Sequence, residues 1–413
     1  MMDQRSEGLN ALPRPETVEV EPEAPSAALI SIIGLAAGSL VANIYYAQPL
    51  VSEIAADLGI NADFAGALTS VTQIGYGIGL FFLVSLADLV ENKRLVLITL
   101  TITMLGLVGM GLSSAVLPFV LASFLIGVCS TGAQVLIPFI AHRVPIAKRG
   151  RVVGNVMAAV LTGIMLARPV SLFVAASFGW RAIFFVSAGL MAVIGLSLAK
   201  MMPRQQPQSG MTYPQILGSM GTLIRETPVL RWRSLYQAIV FCAFNLFWTA
   251  IPFALSEHFG LGQHQIGLFA LAGAGGALAA PIVGRLADRG LGKLLSVTAM
   301  VGLAVFFAAS GYAVAAGALV LLGLCAVLID AGVQANQIVS QRIIFAIAPE
   351  KRGRLNAIYM TSAFIGGAIG STLGTLTYHY ASWTGTAAFG SLLGILGVVL
   401  FVFEQAGHRR AAG

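Results

Sequence analysis

Two ionisable side chains stand in stretches that otherwise belong in hydrocarbon. Residues 162–174 read TGIMLARPVSLFV, with Arg168 beside Pro169, and residues 323–342 read GLCAVLIDAGVQANQIVSQR, with Asp330 well inside. A charge facing lipid costs several kcal/mol, so each must face protein or water, meet an opposite charge or, for the carboxylate, bind a proton. After Asp330, the residues Gln334, Gln337 and Gln341 follow at i+4, i+7 and i+11, which makes one polar stripe on an apolar helix. A guanidinium and a carboxylate that pair, and whose pairing weakens when the carboxylate takes a proton, form the switch that proton-coupled exchange requires.

Counted from Val153 at one membrane edge, Arg168 lies about 22 Å along its helix and about 13 Å short of Ser177 at the other edge. That is further than an arginine comfortably snorkels, so an inward-facing side chain is expected. Asp330, counted from Ala318, lies about 18 Å below the same far edge, a depth that differs from that of Arg168 by about 5 Å. We therefore expect Arg168 and Asp330 to pair in one conformation and to part in another. Pro169 lacks an N–H and clashes with the preceding turn, so it should kink or swivel its helix.

The elements that position these residues follow from composition. The chain of 413 residues is 57% hydrophobic and 10% charged, far from the charge content of a soluble domain. Its mean hydropathy is +0.86. Apolar runs of roughly membrane-crossing length recur at 28–50, 64–86, 95–114, 117–141, 152–177, 183–199, 234–255, 266–287, 294–315, 317–345, 355–378 and 384–403. Twelve transmembrane helices are expected, since barrel strands would be shorter and alternate in polarity. Residues 1–26 are acidic and Pro-rich without an apolar core and read as a disordered cytosolic tail; 404–413 reads as a second tail.

The net charge of +7 does not point to nucleic acid once the charges are placed. All of the 24 Lys and Arg except Arg168 and Arg181 fall on one side of the twelve runs. Basic loops lie inside, so both ends of the chain are expected in the cytoplasm, here of a bacterium, with the protein in its inner membrane. Cys129, Cys242 and Cys325 lie in separate apolar runs and suggest no disulfide or metal framework. The five histidines show no ligand spacing, and GYGIG at 75–79 follows no strand, so close helix packing is expected there.

Internal repeats divide the chain in two. SLADLVENKR at 85–94 matches GRLADRGLGK at 284–293, AKRGRVVG at 147–154 matches EKRGRLNA at 350–357, and NIYYAQP from Asn43 is echoed by NLFWTAIP from Asn245. Six-helix halves at 27–199 and 234–403 follow, joined by a cytoplasmic linker, 200–233, with a short amphipathic interfacial helix near 216–224. Parallel repeats with a site between them at midplane are a transporter architecture. The carboxylates Asp88 and Asp288 stand where they can accept from helix N-termini and pair with Arg94, Arg285 or Arg289, latching the inner ends.

The paired loops resemble the signature loop of the major facilitator superfamily, over about residues 28–403. More narrowly, YYAQPL, KRGRVVGNVMAAVLTGIMLARPVSL and GWRAIFF are similar to bacterial drug and metabolite exporters that include purine ribonucleoside and arabinose efflux permeases. The resemblance implies an all-α fold of two pseudo-symmetric six-helix bundles and a gating role for the signature loops. Ser85 stands in the first copy where the second has Gly284. It also implies a central cavity lined by helices one, four, seven and ten, which here carry Asn43 and Tyr46, Gln134, Asn245 and Trp248, and Gln334 and Gln337. Pro169 matches the proline of a Gly-Pro element in antiporters, but Arg168 replaces the small residue before it, and Ser123 stands where many antiporters have a membrane arginine.

The expected function is secondary active transport by alternating access. Proton-coupled efflux of a small organic molecule such as a drug, nucleoside or sugar leads, with uptake symport of a sugar or nucleoside as the alternative. Uncharged amides, hydroxyls and aromatics suit a neutral or weakly polar substrate. An enzyme would need a converging nucleophile, metal or acid–base set, and none is legible; a receptor would have little reason to keep two intramembrane charges. The expected energy source is the proton gradient with no cofactor, and the expected partners are substrate and lipid bilayer, without nucleic acid, around a monomer.

Overall fold

The computed structural model describes residues 25–206, 210–277, 279–348 and 351–412. The expected N-terminal tail, apart from its last two residues, lies outside them. Among the described residues all regular structure is helical, as hydrocarbon demands of a chain that must satisfy its own backbone polar groups. In the N-terminal half, α1 (Ala27–Ala42) passes through a 3₁₀ turn at Gln48–Leu50 into the short α2 (Val51–Asp57). Then come α3 (Ala65–Leu86), α4 (Asn92–Leu112), α5 (Val116–Ser130) with α6 (Gly132–Arg143), α7 (Ile146–Phe178) and α8 (Trp180–Met201).

The linker carries α9 (Tyr213–Glu226), and the C-terminal half begins with α10 (Pro228–Phe259). Next are three short pieces, α11 (Gln263–Ala270), α12 (Ala272–Ala277) and α13 (Ala280–Asp288), then α14 (Gly292–Ala315), α15 (Leu319–Ile347) and α16 (Arg352–Ala412). The last is two crossings joined at a bend through Ala381 and Ser382, where Ser382 takes φ +52. Among the described residues, with α5–α6 and α11–α13 each taken as one crossing, the apolar segments make twelve, six in each half. Leu105, Leu196 and Leu392 are among the large apolar side chains left exposed on the outside, where lipid is their solvent.

Three departures from the sequence reading have local causes. The eighth crossing is broken because its middle, AGAGGA, offers almost no side chain to hold one straight helix, and Pro281 follows. The linker helix buries Ile216, Met220 and Leu223, the last two in a cluster with Leu230, Ile344 and Leu355, so its apolar face is taken by protein. Glu404, expected in a tail, is buried: the Tyr236 hydroxyl donates to its Oε2 at 2.7 Å, with Arg233 Nη2 at 4.0 Å. α16 runs on past it because this hydrogen bond and ion pair meet the cost of burying the carboxylate.

Helix packing sets the site. Gly38 of α1 and Gly163 of α7 face each other so closely that a Cβ on either would collide with the other helix's backbone. This approach fixes the exit of α1 against the stretch of α7 that carries Arg168. Gly75 and Gly79 of GYGIG press α3 onto the α5 backbone in the same way. Between halves, α3 packs on α16 and α7 on α11.

The two ends of this interface differ. At the end bearing the basic loops the halves part around a cavity of about 920 Å³, whose walls include Asp88, Gln134, His142 and Arg143 from one half and Arg352 and Arg354 from the other. At the opposite end they are joined: Gln263 donates to Glu53, His379 Nε2 lies 3.0 Å from Asp63 Oδ1, and Gly66 N donates to Thr375 Oγ1 at 3.3 Å.

Candidate functional site

Between the open end and the joined end lies a buried polar layer built by the segment after α1 that holds Tyr45 and Gln48, and by α3, α7, α10, α15 and α16. Arg168, 4% exposed, projects from α7 into a box of three rings. Its guanidinium carbon lies 5.0 Å from the centroid of Tyr45, 5.0 Å from that of Phe244 and 4.8 Å from that of Trp248. Each such contact is worth about 0.5–2 kcal/mol, more as water is excluded. Its Nε donates to Gln48 Oε1 at 2.9 Å, while Nη2 is buried without a hydrogen-bond partner.

Asp330, 6% exposed on α15, accepts from Trp248 Nε1 at 2.9 Å. Gly273 and Gly276 of α12 leave room for it, since a Cβ on Gly273 would come within 2.7 Å of Trp248 Cζ2 and 3.0 Å of Asp330 Oδ2. The broken eighth crossing therefore closes on the carboxylate where a bulkier helix could not. Arg168 and Asp330 thus come from opposite halves, are both buried, and both contact the one indole of Trp248. No ion pair joins them in this conformation; Trp248 meets Arg168 with its ring and Asp330 with its N–H.

A network of amides and hydroxyls continues the layer across the halves. Gln48 Nε2 donates to Asn245 Oδ1 at 3.1 Å and to Thr249 Oγ1 at 3.0 Å. Gln73 Nε2 donates to the same Asn245 oxygen at 2.8 Å and to Ser371 Oγ at 3.0 Å. Asn245 Nδ2 is held by the Phe241 carbonyl at 3.0 Å. Gln48, Gln73, Asn245 and Thr249 are all buried, and their mutual bonds offset most of the cost of burying amides there, Gln73 Oε1 alone among these amide atoms being left without a partner.

Other expected residues fall differently. Gln134 lines the cavity and donates to Tyr76 OH at 3.2 Å. Gln334 and Gln337 are half-buried on α15, and Gln341 donates to Asn356 at 3.1 Å. Asn43 does not reach the cavity: it accepts from Ser187 at 2.6 Å and donates to Met191 Sδ at 3.7 Å, tying α1 to α8 within one half. Tyr46, one turn on, is buried as well. Pro169 sits inside a helix that continues unbroken to Phe178.

The signature loops also pair in their own way. Arg94 is exposed; the charges that act on Asp88 are Arg354 and His142. The cavity wall withdraws water from Asp88 and pushes its carboxyl above the usual range, with Arg354 and His142 pulling the other way. Asp288 pairs with Arg342 of α15, because its own helix ends beside that one, and not with Arg285, which donates to Pro281 O, nor with Arg289. A Cβ on Gly284 would meet nothing within 4 Å, whereas Ser85 bonds back to Phe81 O at 2.7 Å.

Gln48 and Gln73 were not singled out from sequence. Gln48 stands in YYAQPL but has no counterpart in the NLFWTAIP echo, and Gln73 is the one amide of its helix, beside the hydroxyls of Thr69, Ser70 and Thr72. A lone amide in a membrane helix carries no signal until its partner is placed.

Comparison with known proteins agrees with this architecture. The sequence model of the Major Facilitator Superfamily matches residues 32–237 and again 233–412. The transporter YgaY of Escherichia coli O157:H7 is 35% identical over 388 residues, 94% of this chain and 98% of its own. The probable transporter SCO4007 of Streptomyces coelicolor is 31% identical over 375 residues, 89% of this chain and 85% of its own. Among solved structures, the nucleoside transporter NupG superposes with a TM-score of 0.74 at 14% identity, over 91% of this chain and 98% of NupG.

Proposed function

The chain belongs to the major facilitator superfamily, a family of membrane transporters and not enzymes, and we propose that it exports a small organic molecule from a bacterial cytoplasm in exchange for protons. The basic end is cytoplasmic, since basic loops are retained inside, and the structure is then the inward-facing member of an alternating-access pair. Arg168 and Asp330 carry this reading: two buried ionisable groups, one from each half, meet at Trp248, one at its ring and one at its N–H.

An ionised Asp330 draws the Arg168 charge toward it, and both are buried, where attraction is screened less than in water. A proton on Asp330 cancels that attraction and frees the halves to move, so the occupancy of one carboxylate biases which end is open. The proton gradient then supplies the energy, and no cofactor is required. Amides such as Gln134 on the open cavity favour a neutral or weakly polar organic substrate. The protein works as a monomer, since each half has its partner within the chain.

The test uses purified protein in proteoliposomes. A thermal-shift screen of nucleosides, sugars, amino acids and cationic drugs at two pH values selects the probe. Accumulation of that probe when the lumen is acidic is the result expected of exchange. Accumulation only when the outside is acidic makes the protein a symporter and overturns the proposal.

A further inference from the structure

We infer that Gln48 is a positioning residue that makes Arg168 and the closure of the joined end move as one. It deepens the reading above by naming how the intramembrane charge reaches the barrier. Gln48 lies in the 3₁₀ turn at the end of the first crossing and is fully buried. A guanidinium only donates, so the atom of Gln48 that faces Arg168 Nε must be its oxygen, and the amide orientation is fixed. Its nitrogen is then committed to Asn245 and Thr249 of α10, in the other half.

One planar amide therefore holds the charge on one edge and the opposite half on the other. Arg168 is tethered at Nε while Nη2 has no hydrogen-bond partner. Any turn of the guanidinium toward a ligand or toward Asp330 pulls on Gln48 Oε1, and rotating the amide to follow swings Nε2 off both acceptors. A residue that merely tied helices together would not need this polarity. Glutamate keeps an acceptor for Arg168 but has no donor for α10, and leucine has neither.

The experiment measures the width of the joined end directly, without substrate or gradient. Spin labels on cysteines at Ser52 and Ser256, both exposed and in opposite halves, report the fraction of molecules open there by pulsed electron paramagnetic resonance. Gln48→Leu and Arg168→Lys should each raise the open-to-closed ratio about tenfold, the loss of one or two buried hydrogen bonds. The double variant should open no further than the single ones, because the two residues act through one chain of bonds. Gln48→Glu, nearly isosteric, should open like Gln48→Leu although it still binds Arg168.

Effects of Gln48→Leu and Arg168→Lys that multiply in the double variant overturn the inference, as does a Gln48→Glu protein that stays closed like the wild type. Should Gln48→Leu not fold, the Gln48→Glu result decides alone. Failure of proton coupling would leave these distances unchanged, so the two readings fail separately.

Discussion

The indole nitrogen of Trp248 donates to Asp330 Oδ1 at 2.9 Å. The same ring also meets the Arg168 guanidinium, 4.8 Å from its centroid. Trp248 thus serves both charges at once. Trp248→Phe keeps a ring under Arg168 but leaves Asp330 without its donor, a loss of about 1.5–3 kcal/mol for a bond to a charged group. Exchange should fall roughly tenfold or more, and its pH profile should move, whereas a ring needed only for packing would leave the profile in place.

Arg168→Ala removes a cation from three rings and strips Gln48 Oε1 of its partner, so the melting transition should fall by an amount equivalent to about 2–4 kcal/mol. The charge-swapped Arg168→Asp/Asp330→Arg protein should not recover. An indole N–H that suits a carboxylate opposes a guanidinium in its place, so rescue by the swap would show instead that the two charges bond directly.

Glu53 gives the joined end its own pH dependence. Burial at the contact with Gln263 raises its carboxyl above the usual range, and the Gln263 amide pulls weakly the other way. When the ends separate, Glu53 returns to water and to its ordinary value. Closure therefore takes up protons between the two values: falling pH favours the closed end, and rising pH through the window opens it. Glu53→Gln should flatten this part of the pH dependence of the distance between labels at Ser52 and Ser256.

The exposed pair between Asp288 and Arg342, with side chains 65% and 53% accessible, should matter little to stability. Arg342→Ala is expected to cost less than about 1 kcal/mol. Chemical denaturation checks this, and a larger loss would mean the contact closes a network at the basic end.

The twelve crossings and two halves were legible because hydrocarbon imposes one length and one polarity on every crossing. Arg168 and Asp330 were legible as inward-facing because charge in that solvent has few other places to go. That both would reach Trp248 was not legible, since depth along two helices says nothing about which third side chain meets them. Asn43 misled for a related reason: its echo of Asn245 is real, but Asn245 bonds across the halves through Gln48 and Gln73, while Asn43 turns to Ser187 and Met191. The break in the eighth crossing was written in AGAGGA, and what it accommodates, Asp330, became visible only with α15 in place.

Whether the proton acts through Asp330 is tested most directly by the pH dependence of the Ser52–Ser256 label distance in a Glu53→Gln background, with and without Asp330→Asn. The open fraction should still vary with pH while the Asp330 carboxylate is present and become flat once Asp330→Asn removes it. An unchanged pH dependence after Asp330→Asn would contradict the assignment of the switch to that carboxylate.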